Sequence, residues 1–161
     1  MTKEQFNNLF DLYFEDIRRY LYYRCGDTAL STDLAQDTFM RVWEKQMDVR
    51  PERDTRLLYK IAGDLFVSFT RREKLRQKVP EKIHFEQQNL SPEEELQFRE
   101  LQNKYERVLM KLPENQRIVF LMSRTEELSY QEIATRLSLS IKAVEKRMSG
   151  ALKRLRKELI T

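Results

Sequence analysis

Three glycines and four prolines in 161 residues leave this chain few places to turn. A sheet-rich fold needs a turn at the end of nearly every strand, and glycine and proline are the residues that make most turns. Long helices joined by a few loops are what such a chain can build, and its apolar residues recur at helical spacing. The expected fold class is all-α. Hydrophobic residues at 40% of the chain are enough for a core, while charged residues at 35% imply a heavily solvated surface.

The stripes divide into two blocks. Phe6, Leu9, Phe10, Tyr13, Phe14, Ile17, Tyr20 and Leu21 share one helical face, and Thr2 and Gln5 are spaced for a capping box. After Gly26-Asp27, Ser31 is the expected cap of a second helix, whose inner face carries Leu34, Ala35, Thr38, Phe39, Val42 and Trp43. Arg50-Pro51 marks a loop, since proline disfavours helix in the residue before it. A third helix from about Thr55 offers Leu57, Leu58, Ile61, Ala62, Leu65, Phe66 and Phe69. Three such faces predict a small helical bundle over residues 1–78.

Residues 79–95 read as an acidic linker. From Glu81 to Glu100 there are six acidic residues against Lys82 and Arg99, and Ser91-Pro92-Glu93-Glu94 has the signature of a helix start. A second block, residues 96–161, begins with the stripe Leu101, Tyr105, Val108, Leu109 and Leu112, which stops at Pro113. A short helix around residues 117–124 follows. Ser129 and Glu132 form the pattern of a capping box and open a helix with Ile133, Ala134 and Leu137. Ser138-Leu139-Ser140 is a tight turn without glycine, so Ser138 or its neighbour must take any strained conformation. The last helix presents Val144, Met148, Leu152, Leu155 and Leu159.

The net charge is +4, with the basic residues gathered in two clusters. Arg71, Arg72, Lys74, Arg76 and Lys78 follow the third helix; Lys142, Lys146, Arg147, Lys153, Arg154, Arg156 and Lys157 lie near the end. A single basic run is most often a solvated helix face. Two runs in separate blocks, with acidic residues collected between them, point to a polyanion. The second cluster sits in a helix-turn-helix pattern, in which the start of the second helix enters the major groove. With Val144 and Met148 turned inward, Lys142, Ala143, Glu145, Lys146, Arg147 and Ser149 face DNA, joined further along by Arg154. Lysine and arginine can hold phosphates or donate to guanine, and glutamate can accept from cytosine.

Catalysis by this chain is not expected. His84, the sole histidine, lies in the linker; Cys25, the sole cysteine, has no metal-site partners and excludes an internal disulfide; no glycine-rich phosphate loop exists. Asp33, Asp37 and Asp64 are read as solvated carboxylates. No cofactor and no metal are expected. The first residues lack the apolar core of a signal peptide, and no apolar run approaches the ~20 residues that span a bilayer. A cytoplasmic protein is the expectation.

Three segments in this order resemble the extracytoplasmic-function sigma factors of the sigma-70 family, across nearly the whole chain. Residues 33–43, Asp-Leu-Ala-Gln-Asp-Thr-Phe-Met-Arg-Val-Trp, resemble region 2.2. Residues 58–64, ending in the Arg71-Arg72 cluster, resemble regions 2.3 and 2.4. Leu112-Pro113-Glu114-Asn115-Gln116-Arg117, then residues 128–134, then Val144-Glu145-Lys146-Arg147 resemble region 4. The resemblance implies two helical bundles, regions 2 and 4, joined by a linker. It implies core RNA polymerase as a partner, with region 2.2 on the β′ coiled coil through Asp33, Gln36, Asp37, Met40, Arg41 and Glu44, and region 4 on the β flap. It implies promoter DNA as a second partner. The recognition helix would enter the minus-thirty-five element, and Arg50, Arg53, Arg56, Tyr59, Asp64, Arg71, Arg72 and Lys74 would serve the minus-ten element, where a base is flipped and captured.

Relatives often have asparagine where this chain has Asp64. An ionised aspartate only accepts hydrogen bonds, which leaves the identity of the captured base open. Gly150, inside a helix, suggests close approach to the DNA backbone. An anti-sigma factor is an implied partner, and the Glu145–Met148 stretch resembles the Bacteroidetes group paired with membrane-bound inhibitors. Two alternatives remain at this point. One is a sigma mimic that titrates an anti-sigma factor, though a mimic would be expected to lose the basic clusters. The other is a polymerase-independent helix-turn-helix regulator, which leaves the first block without a role.

Overall fold

The computed structural model describes residues 1–73 and 91–160, and these form seven α-helices with no strand among the described residues. Helix α1 (Lys3–Cys25) starts at the capping box foreseen from Thr2 and Gln5: the Gln5 amide donates to Thr2 Oγ1 at 3.1 Å and the Thr2 amide to Gln5 Oε1 at 2.9 Å. It stops at Gly26, whose φ of 67° ends the helix in the left-handed region that glycine tolerates best. Helix α2 (Thr28–Glu44) is capped by Asp27, whose carboxylate accepts from the Leu30 amide at 3.1 Å. The expectation of Ser31 as the cap is thereby corrected. Ser31 is buried one turn inside, its hydroxyl donating to the Thr28 carbonyl at 2.9 Å, because an aspartate directly after the glycine stop takes the cap first. Helix α3 is Thr55–Glu73.

Leu9, Ile17 and Leu21 of α1, Phe39 and Val42 of α2, and Leu58 and Phe66 of α3 close the first bundle. Phe10 meets Phe39 edge-on at 5.2 Å, and Trp43 packs on Phe6 at 5.2 Å, so both α2 aromatics are used in packing.

In the second block α4 (Pro92–Lys111) starts at the Ser91–Glu94 capping box, inside the stretch read as linker. Its buried residues lie in its second half. Leu101, expected on the inner stripe, is 63% exposed; the residues that α4 buries, Glu106, Val108 and Leu109, lie further along the helix. Helix α5 (Glu114–Arg124) begins directly after Pro113, three residues before the expected start. Helix α6 (Tyr130–Leu137) opens with the Ser129–Glu132 box, and α7 (Ile141–Ile160) follows the turn. Ser138 carries the left-handed conformation, φ 56° and ψ 44°, that a glycine-free turn requires. Val144, Met148, Ala151 and Leu155 anchor α7 against α5 and α6.

The two blocks are packed on each other, α1 against α5 and α3 against α6. The sequence leaves open whether they touch. Lys74, Arg76, Lys78, His84 and the 78/79 boundary lie outside the described residues.

Candidate DNA and polymerase interfaces

The α6–turn–α7 unit presents one face of the first turns of α7 to solvent. Ser140 accepts from the Ala143 amide at 3.1 Å and starts the helix, while Val144 and Met148 are buried beneath it. That register leaves Lys142, Glu145, Lys146, Ser149 and Arg154 exposed, with Ala143 and Arg147 half-buried. Arg147 does not project freely. It lines a cleft of about 460 Å³ together with Tyr20 and Arg24 of α1 and Glu114 of α5. Gly150 has a close neighbour within the protein: a Cβ there would lie 2.6 Å from Gln116 Nε2, on α5.

The loop before α3 is tethered by its backbone. The Glu52 amide donates to the Tyr13 hydroxyl at 2.9 Å and the Arg50 amide to Asp54 Oδ2 at 3.0 Å. The Arg53 guanidinium hydrogen-bonds Asp54, and this, with the Arg50 amide, holds the Asp54 carboxyl below its usual range. Arg50, Arg53 and Arg56 are exposed, as are Asp64 on α3 and Arg71 and Arg72 at its end; Lys74 lies outside the described residues. Asp64, Arg56 and Lys60 line a second cleft, about 280 Å³, whose opposite wall is Arg136 and Ser138.

Tyr59 requires a correction. It is 3% exposed, its ring edge-on to Tyr20 at 5.1 Å and its hydroxyl accepting from Arg136 Nη1 at 3.0 Å. No base can stack on it in this arrangement. Burial pushes its hydroxyl pKa well up.

The outer face of α2 is separate from both clefts. Asp33, Gln36, Asp37, Met40, Arg41 and Glu44 are all exposed along it, and Met40 is an exposed apolar side chain among charged neighbours.

Comparison with known proteins matches two family models in chain order, sigma-70 region 2 over residues 9–76 and sigma-70 region 4 over residues 102–155. Together they span about three quarters of the chain. The chain is an extracytoplasmic-function sigma factor of the sigma-70 family. Among curated proteins it is 27% identical to RNA polymerase sigma factor YlaC of Bacillus subtilis, covering 98% of this chain and 93% of that one. It is 25% identical to ECF RNA polymerase sigma factor SigW of the same organism, covering 98% and 90%. Among solved structures, the sigma factor RpoE in complex with the anti-sigma factor NepR from Bartonella quintana superposes with a TM-score of 0.70 at 22% identity, covering 97% of each chain, which supports the fold.

As a sigma factor the chain is a regulatory subunit of transcription initiation, and every polymerase and minus-ten candidate falls within its region 2 match, every minus-thirty-five candidate within its region 4 match. No helix among the described residues is long and apolar enough to cross a membrane. The sigma factor also uses residues that pattern reading passed over. Arg117, 5% exposed, donates from Nε to the Tyr23 carbonyl at 2.6 Å and from Nη2 to the Arg24 carbonyl at 2.9 Å, both at the end of α1. Its Nη1 reaches the Leu112 and Met110 carbonyls, at 3.3 and 3.4 Å, at the end of α4. Arg24 pairs with Glu114 and lies over the Phe66 ring at 4.5 Å. Arg136 reaches Asp16 at 3.4 Å, and Arg19 reaches Glu126 at 3.5 Å. Arg117 follows Glu114-Asn115-Gln116 and opens the apolar run Ile118-Val119-Phe120, and its place at the head of that run was the only local signal for it.

Proposed function

We propose that this sigma factor docks on the β′ coiled coil of core RNA polymerase through Asp33, Gln36, Asp37, Met40, Arg41 and Glu44. It contacts the minus-thirty-five element through Lys142, Ala143, Glu145, Lys146, Arg147, Ser149 and Arg154. Arg50, Arg53, Arg56, Arg71, Arg72 and Lys74 hold phosphates around the minus-ten element, and Asp64 faces the captured base. The observation that carries this reading is the register of α7: its apolar anchors are buried while Lys142, Glu145 and Lys146, at its start, remain in solvent. In region 4 the apolar groove between α4, α5 and α7, lined by Tyr105, Phe120, Leu152 and Leu155, suits the β flap. The chain performs no chemistry itself; polymerase supplies the active site. It works in the cytoplasm, and an anti-sigma factor competes for the same faces.

Run-off transcription with purified core polymerase on host promoter fragments tests the reading. Discrete new transcripts are expected, lost with Asp37→Arg through failure to bind polymerase and weakened with Lys146→Ala through loss of promoter affinity. An Asp37→Arg chain that still co-elutes with polymerase removes that residue from the docking face. Folded protein that neither binds polymerase nor yields transcripts overturns the whole reading.

A further inference from the structure

We infer that Ile141, the first residue of α7, reads sequence by packing on the 5-methyl group of a thymine in the minus-thirty-five element. The inference deepens the DNA-binding assignment proposed above and rests on it.

The start of α7 holds without this side chain. Ser140 accepts from the Ala143 amide at 3.1 Å, Leu139 packs against the core, and Val144 is buried one turn in. Ile141 lies between these anchors, yet it is 44% exposed. An isoleucine there gains little from the protein, since it is a mediocre helix former and much of its surface stays in water. Residues one turn apart share a side of a helix, so Ile141 stands beside Glu145 as Lys142 stands beside Lys146. All four are exposed. A single exposed isoleucine needs no explanation on most surfaces. On the first turn of a recognition helix it enters the major groove together with its neighbours.

Each base pair offers a distinct edge in that groove, and thymine alone carries a methyl group there. Isoleucine has no hydrogen-bonding atom in its side chain. Against guanine, cytosine or adenine it would strip water from an amino or carbonyl group and give nothing in return. Against thymine it removes two apolar surfaces from water together. Its β-branched side chain has few rotamers to lose on contact, which suits a fixed reading residue. Lys142 and Lys146 can hold phosphates or donate to guanine, so Ile141 adds a preference that they do not supply.

The test uses holoenzyme assembled from the full-length chain and purified core polymerase, with a promoter fragment identified by run-off transcription. Each thymine of the minus-thirty-five element is replaced in turn by uracil, which removes the 5-methyl group and keeps every hydrogen-bonding atom. One of these replacements should weaken equilibrium binding about fourfold, the factor for one methyl group returned to water. Ile141→Ala should bind the thymine promoter more weakly by at least as much, and the same uracil replacement should then make no further difference. Ile141→Val, which keeps the branch, should retain the preference for thymine. The uracil series on the wild-type chain decides by itself should Ile141→Ala fail to fold. Equal binding at every uracil position overturns the inference, and so does an element that contains no thymine. A uracil effect of undiminished size in Ile141→Ala also overturns it, since another residue then reads the methyl group. The underlying DNA assignment fails separately, by unchanged promoter binding in Lys146→Ala and Arg154→Ala.

Discussion

Ser138 turns the chain between α6 and α7 at φ 56°, where an L-residue is strained by about 1 kcal/mol. Glycine adopts that conformation freely, at some cost in the unfolded state. Ser138→Gly should therefore raise the melting temperature by roughly 2 °C, read by thermal denaturation; a lowered value would mean the serine side chain stabilises the turn. Glu126 makes the opposite kind of case. Burial first, and the nearby Asp16 second, raise its carboxyl above the ordinary 4.5, opposed by Arg19, Tyr23 and Arg136. Between 4.5 and the raised folded value, the folded chain binds more protons than the unfolded one, so this group's contribution to stability is present at lower pH and falls as pH rises. Glu126→Gln should thus become more favourable relative to wild type as pH increases through that window. Urea melts of the pair at several pH values check the sign, and a difference that shrinks with rising pH contradicts it.

At the scale of elements, the caps account for where helices start. Thr2, Ser91 and Ser129 each hold a reciprocal box with the residue three places on, and each was legible because the box is local in sequence. Ser31 was misread for a local reason too, since Asp27 stands nearer the glycine stop. Helix ends that depend on distant partners were not legible. The end of α1 is satisfied by Arg117, more than ninety residues away. Arg117→Ala should lower stability by about 3 kcal/mol, since buried carbonyls lose a charged donor. Arg117→Lys should not restore it, because a single ammonium cannot reach both helix ends as the planar guanidinium does. A near-normal urea midpoint for Arg117→Ala would show that water replaces the lost donor.

For the molecule as a whole, charge distribution decides behaviour more than net charge. The excess of +4 is small, yet Lys142, Lys146 and Arg154 stand exposed on one helix and Arg50, Arg53 and Arg56 beside another. Promoter affinity should therefore fall with salt, log K losing about 0.9 for each phosphate neutralised on a log scale. Lys146→Ala should reduce that slope by about 1, measured by titration at several ionic strengths. A slope near zero would exclude phosphate contact by these side chains.

The order of helices, their periodicity, one capping box in the first block and two in the second, and the helix-turn-helix register were determined by the sequence, because each depends on residues within a few positions of one another. The candidate reading positions on α7 follow from the same cause: once Val144 and Met148 point inward, the 3.6-residue repeat places Lys142, Glu145 and Lys146 outside. Only the tertiary structure decided that Tyr59 is interior, that Gly150 makes room for Gln116, and that Leu101 stays in solvent. It alone decided that regions 2 and 4 rest against each other. These outcomes turn on contacts between residues tens of positions apart, where periodicity carries no information and polar partners such as Arg117 and the α1 carbonyls are chosen by proximity in space.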